Sequence, residues 1–293
     1  MTGPRYMLLS ALAFAFMGAM VKIASEQGLP LLQIIFVRAL ISVFLSLIDI
    51  RRSGAHPLGR QRGLLLARGL VGFLSLIGVF YAFTHLPYAQ ATVLQYLHPV
   101  FTAGLAFWFL AERPSSSTLI CIALSLLGLV CMVSPYFLTT NTVVIPITAL
   151  LAGLGGACGS GVAYTLVRKL AATEHPSVIV LYFPMVCIPA TLLLGSNNFI
   201  WPNQMGWLAL IGVGCFTQLG QLSLTKAMQT DSASKATSLS YLQIVFAAGL
   251  GWLLFEEIPA TATFIGAGFI LMGALISAGI PSKPEKKAHA SSR

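Results

Sequence analysis

Residues 91–105, ATVLQYLHPVFTAGL, recur 145 positions later as residues 236–250, ATSLSYLQIVFAAGL. Ten of the fifteen aligned pairs are identical. The same offset continues without a gap through three more identical pairs: Glu112 over Glu257, Pro114 over Pro259 and Gly128 over Gly273. Shared composition alone does not hold one register over such a length, so the pattern indicates an internal duplication.

The composition around this repeat is typical of a membrane protein. Of the 293 residues, 57% are apolar and 9% are charged, and the mean hydropathy is +0.85. A soluble domain has roughly 25% charged residues. The net charge of +9 does not indicate nucleic acid as a partner, because the basic residues lie in short loops and not on a segment that folds outside lipid.

Ten apolar runs between helix breakers are predicted to be transmembrane helices, since an open strand would leave its backbone unsatisfied in lipid. Each is about the length that crosses a bilayer. The first run is predicted to be a span and not a cleaved signal peptide, because its far end lacks a small-residue cleavage site. The predicted limits are 6–25, 31–50, 64–84, 89–110, 117–134, 144–168, 176–194, 205–228, 232–255 and 260–279.

The distribution of Lys and Arg predicts the orientation. With a cytoplasmic N-terminus, fourteen of the seventeen basic residues fall in cytoplasmic segments and none in the outside loops. By the positive-inside rule both termini are then cytoplasmic. The other three, Lys22, Arg38 and Arg68, lie in or at the edges of spans.

The offset maps spans 3, 4 and 5 onto spans 8, 9 and 10, a step of five helices. Because five is odd, the two halves are predicted to cross the membrane in opposite directions. The predicted fold is an all-α integral membrane protein of ten helices in two inverted five-helix repeats, residues 1–140 and 141–280. Residues 281–293 are predicted to be a disordered, basic cytoplasmic tail attracted to anionic lipids.

Polar residues on two matching helix faces suggest a cavity between the halves. Gln95 and Tyr96 share a face of span 4 with Thr92 and Pro99, and Tyr241 shares the matching face of span 9 with Thr237 and Ser240. The alternative is that these groups only form hydrogen bonds between helices. Pro99 is expected to kink span 4.

Two cationic or titratable side chains inside the spans are candidates for function. His98, whose repeat counterpart is Gln243, is a candidate for carrying a proton or binding a carboxylate, and a core histidine is the alternative. Arg38 lies deep in span 2 as a candidate substrate-binding cation. Its alternative role is a structural tie to helix carbonyls or to Asp49.

No Asp or Glu lies in the middle of a predicted span, which disfavours a pump for cationic drugs. Cations and aromatic rings without an anion suit a solute that carries a carboxylate, packed by Tyr81, Tyr96, Tyr164 and Tyr241. No phosphate-binding loop, nucleophile elbow or zinc signature is present, so neither an enzyme nor a cofactor or metal is predicted. Gly155 and Gly159 are expected to support close helix packing.

The segments AFWFLAERP, residues 106–114, and GWLLFEEIP, residues 251–259, resemble the drug/metabolite transporter superfamily and its EamA family. The resemblance covers residues 5–280, and within the family the chain looks like YddG-type bacterial exporters of aromatic and other hydrophobic amino acids. It implies a central cavity lined by helices 1–4 and 6–9. It also implies cavity positions for Tyr96, Tyr164 and Tyr241, with Tyr81, Gln95 and Gln218 as further wall residues.

We therefore expect a secondary transporter of the bacterial inner membrane that exports amino acids or related metabolites by alternating access. Its expected partners are the solute and membrane lipids, with proton coupling left open. An exporter of drugs or nucleobases, a lipid-handling membrane protein and a channel remain alternatives. The sequence does not decide the oligomeric state.

Overall fold

The computed structural model describes residues 2–86, 88–139, 146–256 and 261–279. Short 3-10 turns occur at Ser196–Asn198 and Leu239–Tyr241. The α-helices are α1 (Gly3–Glu26), α2 (Leu31–Ser53), α3 (Arg62–His85), α4 (Tyr88–Gln95), α5 (His98–Leu110), α6 (Ser116–Thr139), α7 (Ile147–Ala171), α8 (Pro176–Gly195), α9 (Gln204–Thr230), α10 (Ala233–Ser238), α11 (Leu242–Phe255) and α12 (Thr261–Gly279).

Ten helical segments of the described chain are long and apolar enough to cross a membrane, and no strand occurs in it. The predicted all-α membrane fold is therefore confirmed. The fourth span consists of α4 and α5, and the ninth of α10, the 3-10 turn and α11. Glu257 and Pro259 of the repeated motif, the boundary between residues 140 and 141 and the tail 281–293 lie outside the described residues.

The fourth and ninth spans are interrupted, whereas the sequence predicted ten continuous helices. In the fourth span, α4 ends at Gln95 and α5 begins at His98, with Pro99 in its first turn. A proline in a first turn loses no intrahelical hydrogen bond, so the chain starts a new helix there and does not merely kink. The ninth span changes to a 3-10 turn at Leu239–Tyr241 without any proline.

The offset of 145 residues relates backbone features as well as side chains. The two interruptions coincide at Tyr96 and Tyr241. Ala111 (φ 54°) and Glu256 (φ 55°), also 145 positions apart, end α5 and α11 and are the non-glycine residues of the described chain with a positive φ. This agreement is consistent with two copies of one five-helix unit.

The packing of α6 against α12 follows the same relation. A Cβ atom on Gly128 would lie 2.5 Å from the carbonyl oxygen of Gly266, and one on Gly273 would lie 3.1 Å from that of Cys121. The helices are therefore antiparallel, and the offset converts the first contact into the second. Small residues permit this close approach of two backbones.

Two further antiparallel pairs, α1 with α9 and α3 with α7, carry matching hydrogen bonds. Ser10 Oγ donates to the carbonyl of Gly220 at 2.8 Å, and Ser75 Oγ donates to the carbonyl of Gly156 at 2.6 Å. In each pair a serine hydroxyl meets the backbone of the facing helix where the helices are close. These pairs cross between the two sequence halves and hold the central helices in place.

The glycines of α7 make different contacts on the two sides of that helix. A Cβ atom on Gly156 would lie 2.8 Å from the backbone nitrogen of Val79, and one on Gly159 would lie 3.1 Å from Cβ of Ser75. Nothing lies within 4 Å of the corresponding point on Gly155. Close helix packing thus involves Gly156 and Gly159, and Gly155 of the predicted pair does not contribute.

We expect Gly156→Ala to lower the free energy of unfolding by about 1–3 kcal/mol, because the added methyl group meets a backbone that cannot move aside. Gly155→Ala, one residue away on the same helix, is the matched control and should be neutral or stabilising by up to about 1 kcal/mol. Thermal unfolding of the purified protein in detergent measures both. Equal losses in the two variants would contradict the packing of α3 on α7.

Candidate functional site

Four aromatic side chains meet at the two helix interruptions and form what we call the ring cluster: Tyr96, His98, Tyr164 and Tyr241. The ring centroids of Tyr96 and Tyr241 are 5.9 Å apart, and those of His98 and Tyr164 are 5.1 Å apart. Tyr96 and His98 are separated by 6.1 Å. These distances are those of interacting rings, so the cluster joins the fourth and ninth spans to α7.

Tyr241 connects the two interruptions directly. Its side chain is 1% exposed, and its hydroxyl donates to the carbonyl oxygen of Tyr96 at 2.8 Å. A helix that stops inside a membrane leaves carbonyl groups without an intrahelical partner, and this bond satisfies one of them. Two residues that are equivalent in the sequence repeat are thus in contact at the centre of the molecule.

Unpaired polar atoms lie on both sides of the interruption in the fourth span. His98 is 6% exposed, and neither its Nδ1 atom nor the buried Oε1 atom of Gln95 has a hydrogen-bond partner in the described chain. A buried polar group left unpaired costs about 1–3 kcal/mol, unless water or a solute completes its bonds. The region beside the ring cluster therefore offers hydrogen bonds to a bound molecule.

Two other polar residues of the repeat have local partners. Thr237 Oγ1 donates to the carbonyl of Ala233 at 2.8 Å, and Ser240 Oγ donates to the carbonyl of Thr237 at 2.6 Å. These hydroxyl groups bond to the backbone of their own helical segment. These bonds lie within one segment and do not connect two helices, and the prediction that this face lines a cavity stays a prediction.

A second polar site, which we call the arginine pocket, lies between α2, α3, α8 and α9. The guanidinium carbons of Arg38 and Arg68 lie 5.6 and 5.0 Å from the ring centroid of Phe183. The space between them has room for about one water molecule. The lining also includes three neutral polar side chains: Ser42, Thr217 and Gln221.

Arg68 is the site residue that the sequence analysis did not select. It is 4% exposed, its Nη2 atom donates to Oε1 of Gln221 at 3.4 Å, and its Nε and Nη1 atoms have no hydrogen-bond partner in the described ranges. The available signal was the same as for Arg38, a cation inside an apolar run. Arg68 lies near the start of predicted span 3, where a long cationic side chain can reach the interface, so this signal alone does not indicate a site.

The two sites lie on neighbouring helices, because α7, which carries Tyr164, packs against α3, which carries Arg68. Of the two structural alternatives for Arg38, helix carbonyls or Asp49, the tie to Asp49 is not observed in the part of the chain that the structure describes. The Asp49 carboxylate accepts a hydrogen bond from the hydroxyl of Ser177, and no ion pair joins it to Arg38 among the described residues. The arginine pocket therefore keeps its positive charge.

The other predicted site residues lie outside the ring cluster and the lining of the arginine pocket. Gln218 is 3% exposed and its Nε2 atom donates to Oγ of Ser46 at 2.8 Å, which links α9 to α2. Tyr81 is 40% exposed and stacks on His85 with 4.0 Å between ring centroids. Gln243 is half-buried in the first turn of α11.

An ion pair between the partly buried Arg168 and the buried Glu112 joins four helix ends at one side of the molecule. Nε of Arg168 donates to one carboxylate oxygen of Glu112, and the other oxygen accepts a hydrogen bond from the backbone N–H of Ala233 at 2.9 Å. Nη1 of Arg168 donates to the carbonyl of Met228 at 2.6 Å. We call this set of contacts the Glu112 network, and it ties the end of α5 to α7, α9 and α10.

Ten apolar spans, two of them interrupted where they touch, surround unpaired polar atoms and two arginines that lie inside the spans. This is the architecture of a membrane transport protein. The EamA-like transporter family model matches residues 1–134 and 147–279. The chain belongs to this family, as the resemblance in its sequence implied.

The similar proteins include two named transporters of comparable length. The Pseudopaline exporter CntI of Pseudomonas aeruginosa is 33% identical over 269 residues, which cover 92% of this chain and 93% of that protein. The Riboflavin transporter of Vibrio cholerae is 28% identical over 281 residues, covering 92% and 90% of the two chains. A solved crystal structure matches with a TM-score of 0.82 at 18% identity, covering 94% of this chain and 96% of its own, which shows a common fold.

Proposed function

We propose that this protein exports amino acids or amino-acid-like metabolites from the cytoplasm by alternating access. The observation that carries the proposal is the contact between the two interrupted spans at Tyr96 and Tyr241. Interrupted helices expose backbone groups and helix ends to a solute inside the membrane. Such a meeting point between two related halves is where a carrier binds its solute.

The moving parts in this proposal are the two predicted repeats, residues 1–140 and 141–280, in a bacterial inner membrane with both termini in the cytoplasm. The basic residues of the loops support that orientation. The Glu112 network then lies on the cytoplasmic side, where it holds the helix ends together. A solute arriving from the cytoplasm requires those helix ends to separate.

The chemistry of the two sites supports an amino-acid-like solute. The ring cluster offers an apolar, aromatic wall, and the arginine pocket offers two cations that favour a carboxylate. The name of the Pseudopaline exporter, one-third identical over nearly the whole chain, supports outward transport of a small molecule.

A second candidate is a heteroaromatic solute such as a flavin or a nucleobase. The four rings of the ring cluster favour it, because stacked aromatic side chains suit a flat ring system. The relative named as a riboflavin transporter points the same way. Drugs with flat aromatic rings are a further case of this candidate and are tested in the same experiment.

The deciding experiment is uptake of radiolabelled phenylalanine into proteoliposomes that contain the purified protein and are preloaded with unlabelled phenylalanine. Amino acids, riboflavin, nucleobases and drugs are added as competitors. Saturable uptake that amino acids inhibit supports the proposal. Inhibition by riboflavin or nucleobases alone favours the second candidate, and the absence of any uptake by folded protein removes the amino-acid proposal.

Proton coupling is tested at His98. If a proton accompanies the solute, we expect it on this imidazole, because histidine is the side chain of the ring cluster that exchanges protons most readily and the Nδ1 atom has no partner within the described chain. His98→Ala should then abolish stimulation by a pH gradient and spare solute exchange. His98→Gln, which copies the residue at position 243, is the conservative control and should behave alike. Stimulation that persists in both variants would rule out this role.

A further inference from the structure

Two arginines, the buried Arg68 and the half-buried Arg38, share one pocket, and no carboxylate of the described chain neutralises them. The guanidinium groups of Arg38 and Arg68 both lie against the ring of Phe183, at 5.6 and 5.0 Å from its centroid. No Asp or Glu of the described ranges lines the pocket. The ion pairs of the described chain join Arg168 to Glu112 and Lys235 to Asp231, and neither includes a pocket arginine.

The hydrogen-bonding capacity of the pocket is largely unused. Nε and Nη1 of Arg68 are unpaired within the described ranges, and so is Oγ1 of Thr217, which faces the same space. The hydrogen bond that Arg68 donates to the side chain of Gln221 is long, at 3.4 Å. An ionised group inside a membrane is expensive, so cations kept there without a partner mark a site where an anion binds.

The helix α8 contributes to this site through Pro184, which lines the pocket with Val180. A proline inside a helix cannot donate to the carbonyl four residues earlier, which here belongs to Val180. The wall of the pocket therefore contains a helix that is locally weakened. This gives the pocket a means of widening, which it needs because its present space holds about one water molecule.

We propose that the arginine pocket binds a solute with two carboxylate groups, one for each arginine. The planar guanidinium fork matches a carboxylate with two parallel hydrogen bonds, and two such groups neutralise both cations. A solute with one carboxylate leaves the second arginine of the pocket without an ionic partner. The ring cluster on the neighbouring helices receives the apolar part of the same solute. This inference rests on the proposed export function and narrows its substrate class.

The experiment compares phenylalanine with 4-carboxyphenylalanine, which differs only by a second carboxylate. Both are tested as competitors of labelled phenylalanine exchange in proteoliposomes and as ligands that raise the melting temperature of the purified full-length protein. We expect 4-carboxyphenylalanine to bind at least about tenfold more tightly, the effect of one additional charge-assisted contact. Inorganic phosphate is included to detect a site for anions in general.

The variants assign this preference to the pocket. Arg68→Gln should reduce the advantage of 4-carboxyphenylalanine to less than about threefold, while Arg68→Lys should retain part of it. Arg38→Gln supplies a second test if Arg68→Gln does not fold. Arg51→Gln is the matched control, because Arg51 is an exposed arginine on the same helix as Arg38. The Arg51→Gln variant should prefer 4-carboxyphenylalanine over phenylalanine as strongly as the unchanged protein does.

Equal binding of the two compounds to the unchanged protein would overturn the inference, as would a preference that survives both glutamine variants. Protection by phosphate as strong as that by 4-carboxyphenylalanine would also overturn it, in favour of a general anion site. If phenylalanine is exchanged but 4-carboxyphenylalanine binds no more tightly, the export function stands and only the proposed binding of two carboxylates fails. If no solute is exchanged, the export function fails, and the melting temperatures still decide whether the pocket binds two carboxylates.

Discussion

Tyr241→Ala is expected to lower the free energy of unfolding by about 3–5 kcal/mol, the usual cost of deleting a fully buried aromatic side chain. The ring is 1% exposed and stacks on Tyr96. Its removal also leaves the carbonyl of Tyr96 without the hydroxyl that donates to it. We expect solute exchange to be lost as well, since both interrupted spans depend on this contact. Thermal unfolding in detergent and exchange in proteoliposomes measure the two effects.

Tyr241→Phe separates the hydrogen bond from the packing. It keeps the ring and should cost only about 0.5–1.5 kcal/mol, the net contribution of one hydrogen bond. Tyr81→Ala is the control for loss of a tyrosine ring, because Tyr81 is 40% exposed. If Tyr241→Ala were no more destabilising than Tyr81→Ala, the contact between the two interrupted spans would not hold the centre of the fold.

Glu112→Ala should be equally severe, with a loss of about 3–5 kcal/mol, because it leaves a partly buried cation and a helix N-terminus without their partner. The Glu112 side chain is 6% exposed, and it binds both Arg168 and the backbone N–H of Ala233. Glu112→Gln keeps a hydrogen-bond acceptor and should lose less. The measurement is again thermal unfolding of the purified protein.

The control for Glu112 is Glu26→Ala, a substitution at an exposed glutamate, which should change stability by no more than about 0.5 kcal/mol. The double variant Glu112→Ala with Arg168→Ala should lose less than the sum of the single variants, since it also removes the unpaired cation. Additive losses would mean that the ion pair contributes nothing beyond the two separate side chains.

The helices of this protein are strongly encoded in local composition. Span 2 was predicted at 31–50 and α2 is Leu31–Ser53, while span 8 was predicted at 205–228 and α9 is Gln204–Thr230. The interruptions were not predicted, because apolar content indicates whether a segment enters lipid. It does not indicate whether the helical backbone hydrogen bonds are continuous along that segment. Pro99 gave a partial signal in the fourth span. The ninth span has Ile244 in the equivalent place and gave none.

Tyr96, His98 and Tyr241 could be selected from sequence because they lie in the duplicated segment. Tyr164 lies outside that segment and was selected as an aromatic residue inside an apolar span. The contacts within the ring cluster could not be predicted, since Tyr164 meets His98 only through the crossing of α7 with α5. The pairing of Arg68 with Arg38 is of the same kind. It depends on α8 placing Phe183 between α2 and α3, and no spacing along the chain records that arrangement.

The shared backbone conformation of Ala111 and Glu256 indicates how this chain arose. Both hold a left-handed backbone that costs a non-glycine residue about 1–2 kcal/mol, yet one side chain is a methyl group and the other a carboxylate. The two copies have thus kept the conformation while their side chains diverged. This indicates that the turn was already present in a single-copy ancestor. It also identifies two positions where glycine would relieve strain for anyone engineering a more durable protein.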